Sequence, residues 1–169
     1  MASRRRGREV GAPLSVTYDL IKFLHVIGAT VILGTGAGIA FFMLAAHLSR
    51  DAAFIARTAA VVVLADFVFT ATAIIAQPLT GFLLIRETGA SLADGWMVAS
   101  LVFYGVAGIF WLPVVWMQIR MRDLAAAASS GKPLPDEYHR LFRLWFIFGF
   151  PGFGSVLAIL WLMIAKPVL

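Results

Sequence analysis

No cysteine occurs anywhere in the 169 residues. That absence removes disulfides, cysteine-based zinc sites, iron–sulfur clusters and thiol catalysis. Charge is scarce as well. Asp, Glu, Lys and Arg make up 14% of the chain, against about 25% in an ordinary soluble domain. The three histidines, His25, His47 and His139, never form His-x-x-x-His or Glu-x-x-His. Zinc-hydrolase and di-iron sites therefore lack their ligand spacing. The glycine clusters lack the Lys-Ser/Thr of a phosphate-binding loop, and no Gly-x-Ser-x-Gly nucleophile turn is present.

What the chain has instead is apolar surface. It is 61% hydrophobic before its 15 glycines are counted, and its mean hydropathy is +0.90. A soluble globule of this length has too little interior to hide so much, and disorder is excluded by the same composition. Four runs carry no charge: Phe23 to Ser49, Phe67 to Ile85, Gly95 to Ile119 and Leu144 to Ala165. Each is close to or beyond the roughly 20 residues that a helix needs to cross a bilayer. None alternates in the two-residue period of a barrel strand.

The expectation is an all-α membrane protein, a four-transmembrane-helix antiparallel bundle. Its spans fall near 17–48, 54–86, 94–122 and 137–165, with Ser15 or Thr17 capping the first. Residues 1–16 form a basic tail and 17–169 a single domain. The second span starts early, because Thr58 to Ala65 is apolar, and this places Asp66 inside the membrane. Arg4, Arg5, Arg6 and Arg8 look like the basic region of a signal peptide. The apolar run behind them is far longer than the roughly 7–15 residues of a signal, so the tail is expected to stay. The formal charge of +5 is read as membrane topology, with the lipid bilayer as partner and no nucleic acid.

The basic residues divide seven against seven between the two faces. Apart from the tail, loops one and three are the basic ones. This favours those loops in the cytoplasm and the N-terminus outside.

Polar groups in lipid are costly, and each is a functional candidate. Asp19, Lys22 and His25, three residues apart, share one helix face. Neutral imidazole can ligate haem iron or copper. Antiparallel order brings Met97 and Met163 to the depth of His25, with Gln77, Thr80, Trp96 and Tyr104 nearby. Asp66 is the deepest carboxyl. Burial calls for a partner, and Arg143, the innermost charge of span four, is expected to form an interhelical ion pair with it, with Arg140 the second candidate and a proton relay the functional alternative to this lock. Gly34-Thr-Gly-Ala-Gly38 and Gly149-Phe-Pro-Gly-Phe-Gly154 offer smooth faces for helix packing or for an oligomeric or redox partner. Pro78, Pro113 and Pro151 bend spans two, three and four.

Leu20-Ile-Lys-Phe-Leu-His-Val-Ile-Gly28 resembles the K-x-L-H opening of a widespread uncharacterised family of small bacterial predicted integral membrane proteins. Leu64-Ala-Asp-Phe67, Gln77-Pro-Leu-Thr-Gly81 and the closing Met163-Ile-Ala-Lys-Pro167 are similar to the same family, so the likeness spans nearly the whole chain. It implies a multi-pass protein of a bacterial inner membrane. A more distant likeness is to HemJ-type protoporphyrinogen oxidases and to copper-resistance membrane domains. The first of these implies b-type haem held by a first-helix histidine, here His25. That group's fourth-helix pattern is matched at Arg143 and Pro151 but not at Phe148-Gly-Phe150, where an Asn–Glu pair is missing.

Three functional expectations follow, and the sequence leaves open whether the protein is an enzyme. The first is a haem b protein of membrane redox or tetrapyrrole chemistry. In it His25 is the axial ligand, Met97 or Met163 the second ligand, and Lys22 and Lys166 the partners of the propionates. The second is a non-enzymatic membrane component: an assembly factor, a partner subunit or a small transporter. The third is a copper-handling protein using His25 with methionines, of which Met117 and Met121 are the nearest to a cluster.

Overall fold

The computed structural model describes residues 16–129 and 131–169. The basic tail and the Ser15 cap lie outside these described residues. Five α-helices follow in order: α1 (Val16–Ser49), α2 (Ala52–Ala65), α3 (Ala71–Thr88), α4 (Gly95–Ala128) and α5 (Asp136–Ala165). α2 and α3 are two halves of one span, joined by a π-helical turn at Asp66–Thr70. Four spans are thus long and apolar enough to cross a membrane, and the all-α four-helix architecture is as expected. Thr17 sits inside α1 rather than capping it.

Local chemistry sets the helix ends. Asp51 caps α2, its Oδ1 accepting from the amides of Ala53 and Phe54 at 2.8 and 3.2 Å. α3 closes on Gly89 at φ 66°, the left-handed conformation that glycine adopts without a Cβ clash. Asp19 stands in the first turn of α1, where a carboxylate complements the helix dipole.

The π turn decides how the second span is used. The Ala71 amide donates to the Asp66 carbonyl, five residues back. One residue is thereby inserted into the helical register, which turns the following helix by about 100° relative to the preceding one. α2 packs on α4 and α1, whereas α3 packs chiefly on α1; α4 and α5 lie along each other.

Packing is uneven along the bundle. Met43, Ile55, Met117, Met121, Tyr138 and Trp145 belong to a dense core at the end carrying the first and third loops. Met117 and Met121 are packing residues in that core, 3% and 0% exposed. The outer surface is greasy: Phe41, Phe42, Phe67, Ile75, Leu79 and Trp161 are all exposed. An apolar exterior of this extent is stable only with lipid as solvent.

Candidate functional site

In the middle of the bundle the packing gives way to a cavity of about 450 Å³ between α1, the π turn, α4 and α5. Its walls are apolar: Ile32, Ile39, Ile74, Phe110, Phe148 and Val156 contribute. Glycines widen it. A Cβ built on Gly108 or Gly149, both of which line the cavity, meets nothing within 4 Å. Gly34, Gly38 and Gly154 likewise face open space, so these glycines are not the tight helix contacts that their spacing suggests. Phe146, Phe150 and Leu157 line the cavity and are also exposed on the outer surface. The cavity therefore opens sideways, toward the lipid.

Its floor is polar. Asp66 and Thr70, one π turn apart, are 3% and 4% exposed. α4 brings Trp111 and Gln118, seven residues apart and so on one helix face. α5 brings Trp145. The Trp111 indole N–H donates to Asp66 Oδ1 at 3.4 Å. Beyond that bond the floor is only loosely paired: Thr70 and Gln118 stand close to the Asp66 carboxyl without a hydrogen bond of ordinary length and angle. Asp66 Oδ2, Thr70 Oγ1, both amide atoms of Gln118 and Trp145 Nε1 are buried without a hydrogen-bond partner. Each such atom costs about 1–3 kcal/mol, and native proteins keep them only where something else pairs with them.

The expected ion pair between Asp66 and Arg143 does not form. Among the described residues, the ion pairs are Arg120–Glu137 and Arg122–Asp123. Arg143 is exposed, whereas Trp145 is buried and turned to the cavity. Two residues along a helix is a rotation of about 200°, which puts Arg143 on the far side of α5. Depth along the span did not fix the side of the helix.

His25 belongs to a different arrangement. Its Nδ1 lies 2.8 Å from Thr80 Oγ1. Thr80 Oγ1 also lies 2.8 Å from the Ala76 carbonyl, so the hydroxyl ties the imidazole to the α3 backbone. Gln77 Nε2 donates to the His25 carbonyl at 2.7 Å. A Cβ on Gly28 would collide with the Gln77 side chain, and one on Gly81 would lie 3.4 Å from His25 Cε1. Each helix thus receives the other's polar side chain over a glycine. His25 and Gly28 interlock with Gln77, Thr80 and Gly81 as a clasp between α1 and α3.

The other expected ligands stand on different helices from the partners of His25. The partners of its side chain are on α3; Met97 is buried on α4 and Met163 half-buried on α5. The Lys22 ammonium sits 5.6 Å from the Tyr18 ring centroid, and that of Lys166 sits 5.2 Å from the Trp96 ring. His25 does not line the cavity, and none of the cavity's lining residues is a histidine or a methionine. Among the described residues, no three His, Asp or Glu side chains are placed to hold a metal ion.

Comparison with known families is decided by one match. The family model "Predicted integral membrane protein (DUF2269)" matches residues 19–167. The chain belongs to this family. No curated protein and no solved structure matches. The more distant likeness to HemJ-type oxidases gains nothing from these comparisons. Within this DUF2269 protein, two of the segments that carried the family resemblance, Leu20–Gly28 on α1 and Gln77–Gly81 on α3, are the two halves of the His25 clasp.

Thr70, Gln118 and Trp145 were missed in the sequence. A signal was there for Gln118: it stands among apolar residues between Gly95 and Ile119, and an uncharged amide costs nearly as much in lipid as it does in a core. Trp145 carries no such signal, because tryptophan at that depth is also ordinary packing.

Proposed function

We propose that this protein is a non-enzymatic membrane component that holds an amphipathic, lipid-like small molecule in the intramembrane cavity. The observation that carries the reading is the buried, weakly paired polar floor of Asp66, Thr70, Gln118 and Trp145 beneath apolar walls. Apolar pockets with a few convergent polar groups are the usual form of a small-molecule site. Trp145 Nε1 and the Gln118 amide offer donors; Asp66 Oδ2 and Gln118 Oε1 offer acceptors. The head of the ligand therefore carries both a donor and an acceptor, and its body is hydrocarbon. Entry is lateral, from the bilayer, past Phe146 and Phe150.

The test is to extract the protein with its lipid annulus, strip it to detergent and identify retained molecules by mass spectrometry. One species is expected at near-stoichiometric level in the wild type and depleted in Gly108→Leu, whose side chain starts from open space at the cavity wall. Equal retention by both proteins ends the reading.

Haem b at His25 is the second proposal. The Thr80 hydrogen bond at Nδ1 favours it, because a hydrogen bond at one ring nitrogen is what orients a histidine that ligates through the other. It uses His25 as the axial ligand and the exposed Lys22 as a partner for a propionate. A Soret band in the purified protein, lost in His25→Ala, is its signature; a colourless preparation removes it. The bacterial inner membrane, with loops one and three in the cytoplasm, is part of the same proposal, resting on the basic loops.

A further inference from the structure

A second pocket, separate from the intramembrane cavity, lies at the rim where α1 ends and α5 begins. It encloses about 580 Å³ and is lined by His47, Arg50, Lys132 and His139, with Ala52 and Pro133 among the remainder. Four of its side chains are basic or can become so, and no acidic side chain lines it. The nearest carboxylate in sequence, Asp51, is committed to the α2 amides. Among the described residues, neither Arg50 nor Lys132 takes part in an ion pair.

His47 is held in place by its neighbours. The His47 ring stacks on Phe142 at 3.7 Å with an 8° tilt. Its Nδ1 lies 3.3 Å from the hydroxyl of Tyr138, a fully buried residue. That imidazole is the hydroxyl's hydrogen-bond partner. Donation from Tyr138 to Nδ1 leaves Nε2–H as the donor that His47 offers to the pocket. His139 stands edge-on to His47 at 6.0 Å between centroids. Arg50 occupies a left-handed position, φ 57°, that a glycine would fill with less strain. Lys132 follows Gly131, itself at φ 94°.

An imidazole held by Phe142 and Tyr138, beside two cations outside any ion pair at the rim of the spans, is the chemistry that recognises a phosphate oxyanion. We propose that this pocket binds a phosphate group, monoester or diester, between Arg50, Lys132, His47 and His139. The phosphate can come from an anionic phospholipid head group or from a soluble phosphate compound. Both present the same oxygens to these donors. The inference is independent of the cavity reading and survives its failure.

Two arms separate the sources. In zwitterionic detergent, the protein is titrated with phosphatidylglycerol, against phosphatidylcholine, and bound lipid is counted by native mass spectrometry. In parallel, inorganic phosphate is titrated by calorimetry. A 1:1 complex is expected in at least one arm. Lipid binding alone identifies a head group, phosphate binding alone a soluble ligand, and both together the phosphate moiety itself. Arg50→Gly combined with Lys132→Gln is expected to weaken the complex at least tenfold. The glycine suits φ 57°, so folding is retained, and His139→Gln provides a second variant at an exposed position. Arg143→Gln, which removes one positive charge outside the pocket, should stay within twofold of wild type. Binding of neither probe overturns the proposal, as does an Arg143→Gln loss as large as that of the pocket variants.

Discussion

The Tyr104 hydroxyl donates to the Ile74 carbonyl at 2.6 Å. This carbonyl has no helical partner of its own, because the residue four positions on is Pro78, which has no N–H. A side chain of α4 thus replaces the backbone bond that the proline deletes, and it does so at the edge of the cavity, which Tyr104 and Ile74 both line.

Tyr104→Phe should therefore destabilise the protein by about 1–2 kcal/mol, the cost of leaving a buried carbonyl unpaired. In a Pro78→Ala background the same substitution should cost much less, since residue 78 then supplies the missing N–H. Thermal unfolding of the four proteins in one detergent measures this coupling. Strictly additive losses would show that Tyr104 does not serve the proline site.

The clasp makes glycines of one helix respond with opposite sign. Gly34→Ala enters open space and should be neutral or stabilising by up to about 1 kcal/mol, through helix propensity. Gly28→Ala pushes Gln77 off the His25 carbonyl and forfeits about 1 kcal/mol of hydrogen bond. The two variants should differ by at least about 1 kcal/mol, and Gln77→Ala should erase that difference.

Asp66 and Arg143 should behave as strangers. Arg143→Gln, on an exposed position of α5, is expected to change stability by less than about 0.5 kcal/mol. Combined with Asp66→Asn it should be additive within roughly the same margin. A coupling above about 1 kcal/mol would restore the ion pair.

Gln118 offers a trade between stability and binding. Its amide is fully buried and makes no hydrogen bond of ordinary geometry, so Gln118→Leu should raise the melting temperature of the ligand-stripped protein. The same change removes a donor and an acceptor from the floor and should deplete the retained molecule. A fall in stability after stripping would mean that the amide is satisfied from within the protein.

The arrangement of four spans was legible because charge-free stretches of adequate length have one stable use, the membrane. Depth was legible too: counting residues from the nearest charge placed Asp66 inside and His25 near a rim. The side of each helix was not. Spans greasy all round carry a weak amphipathic signal, so Arg143 could be placed at the right level while lying on the wrong face of α5. The clasp was half-visible, since His25, Gln77 and Thr80 were all singled out; that Gly28 and Gly81 receive them depends on how α1 and α3 cross.

From the sequence alone came lipid as solvent, the number of crossings, their antiparallel order and the presence of a costly carboxyl within the second span. Length, hydropathy and the spacing of charges determine these, and all are local along the chain. The tertiary structure alone decided the π turn at Asp66, the partners of each half of that span and the gathering of Thr70, Trp111, Gln118 and Trp145 around one cavity. Those depend on the rotation of each helix about its axis, where a one-residue slip turns the face by about 100°. Packing against the neighbouring helices, rather than any single segment, sets that angle.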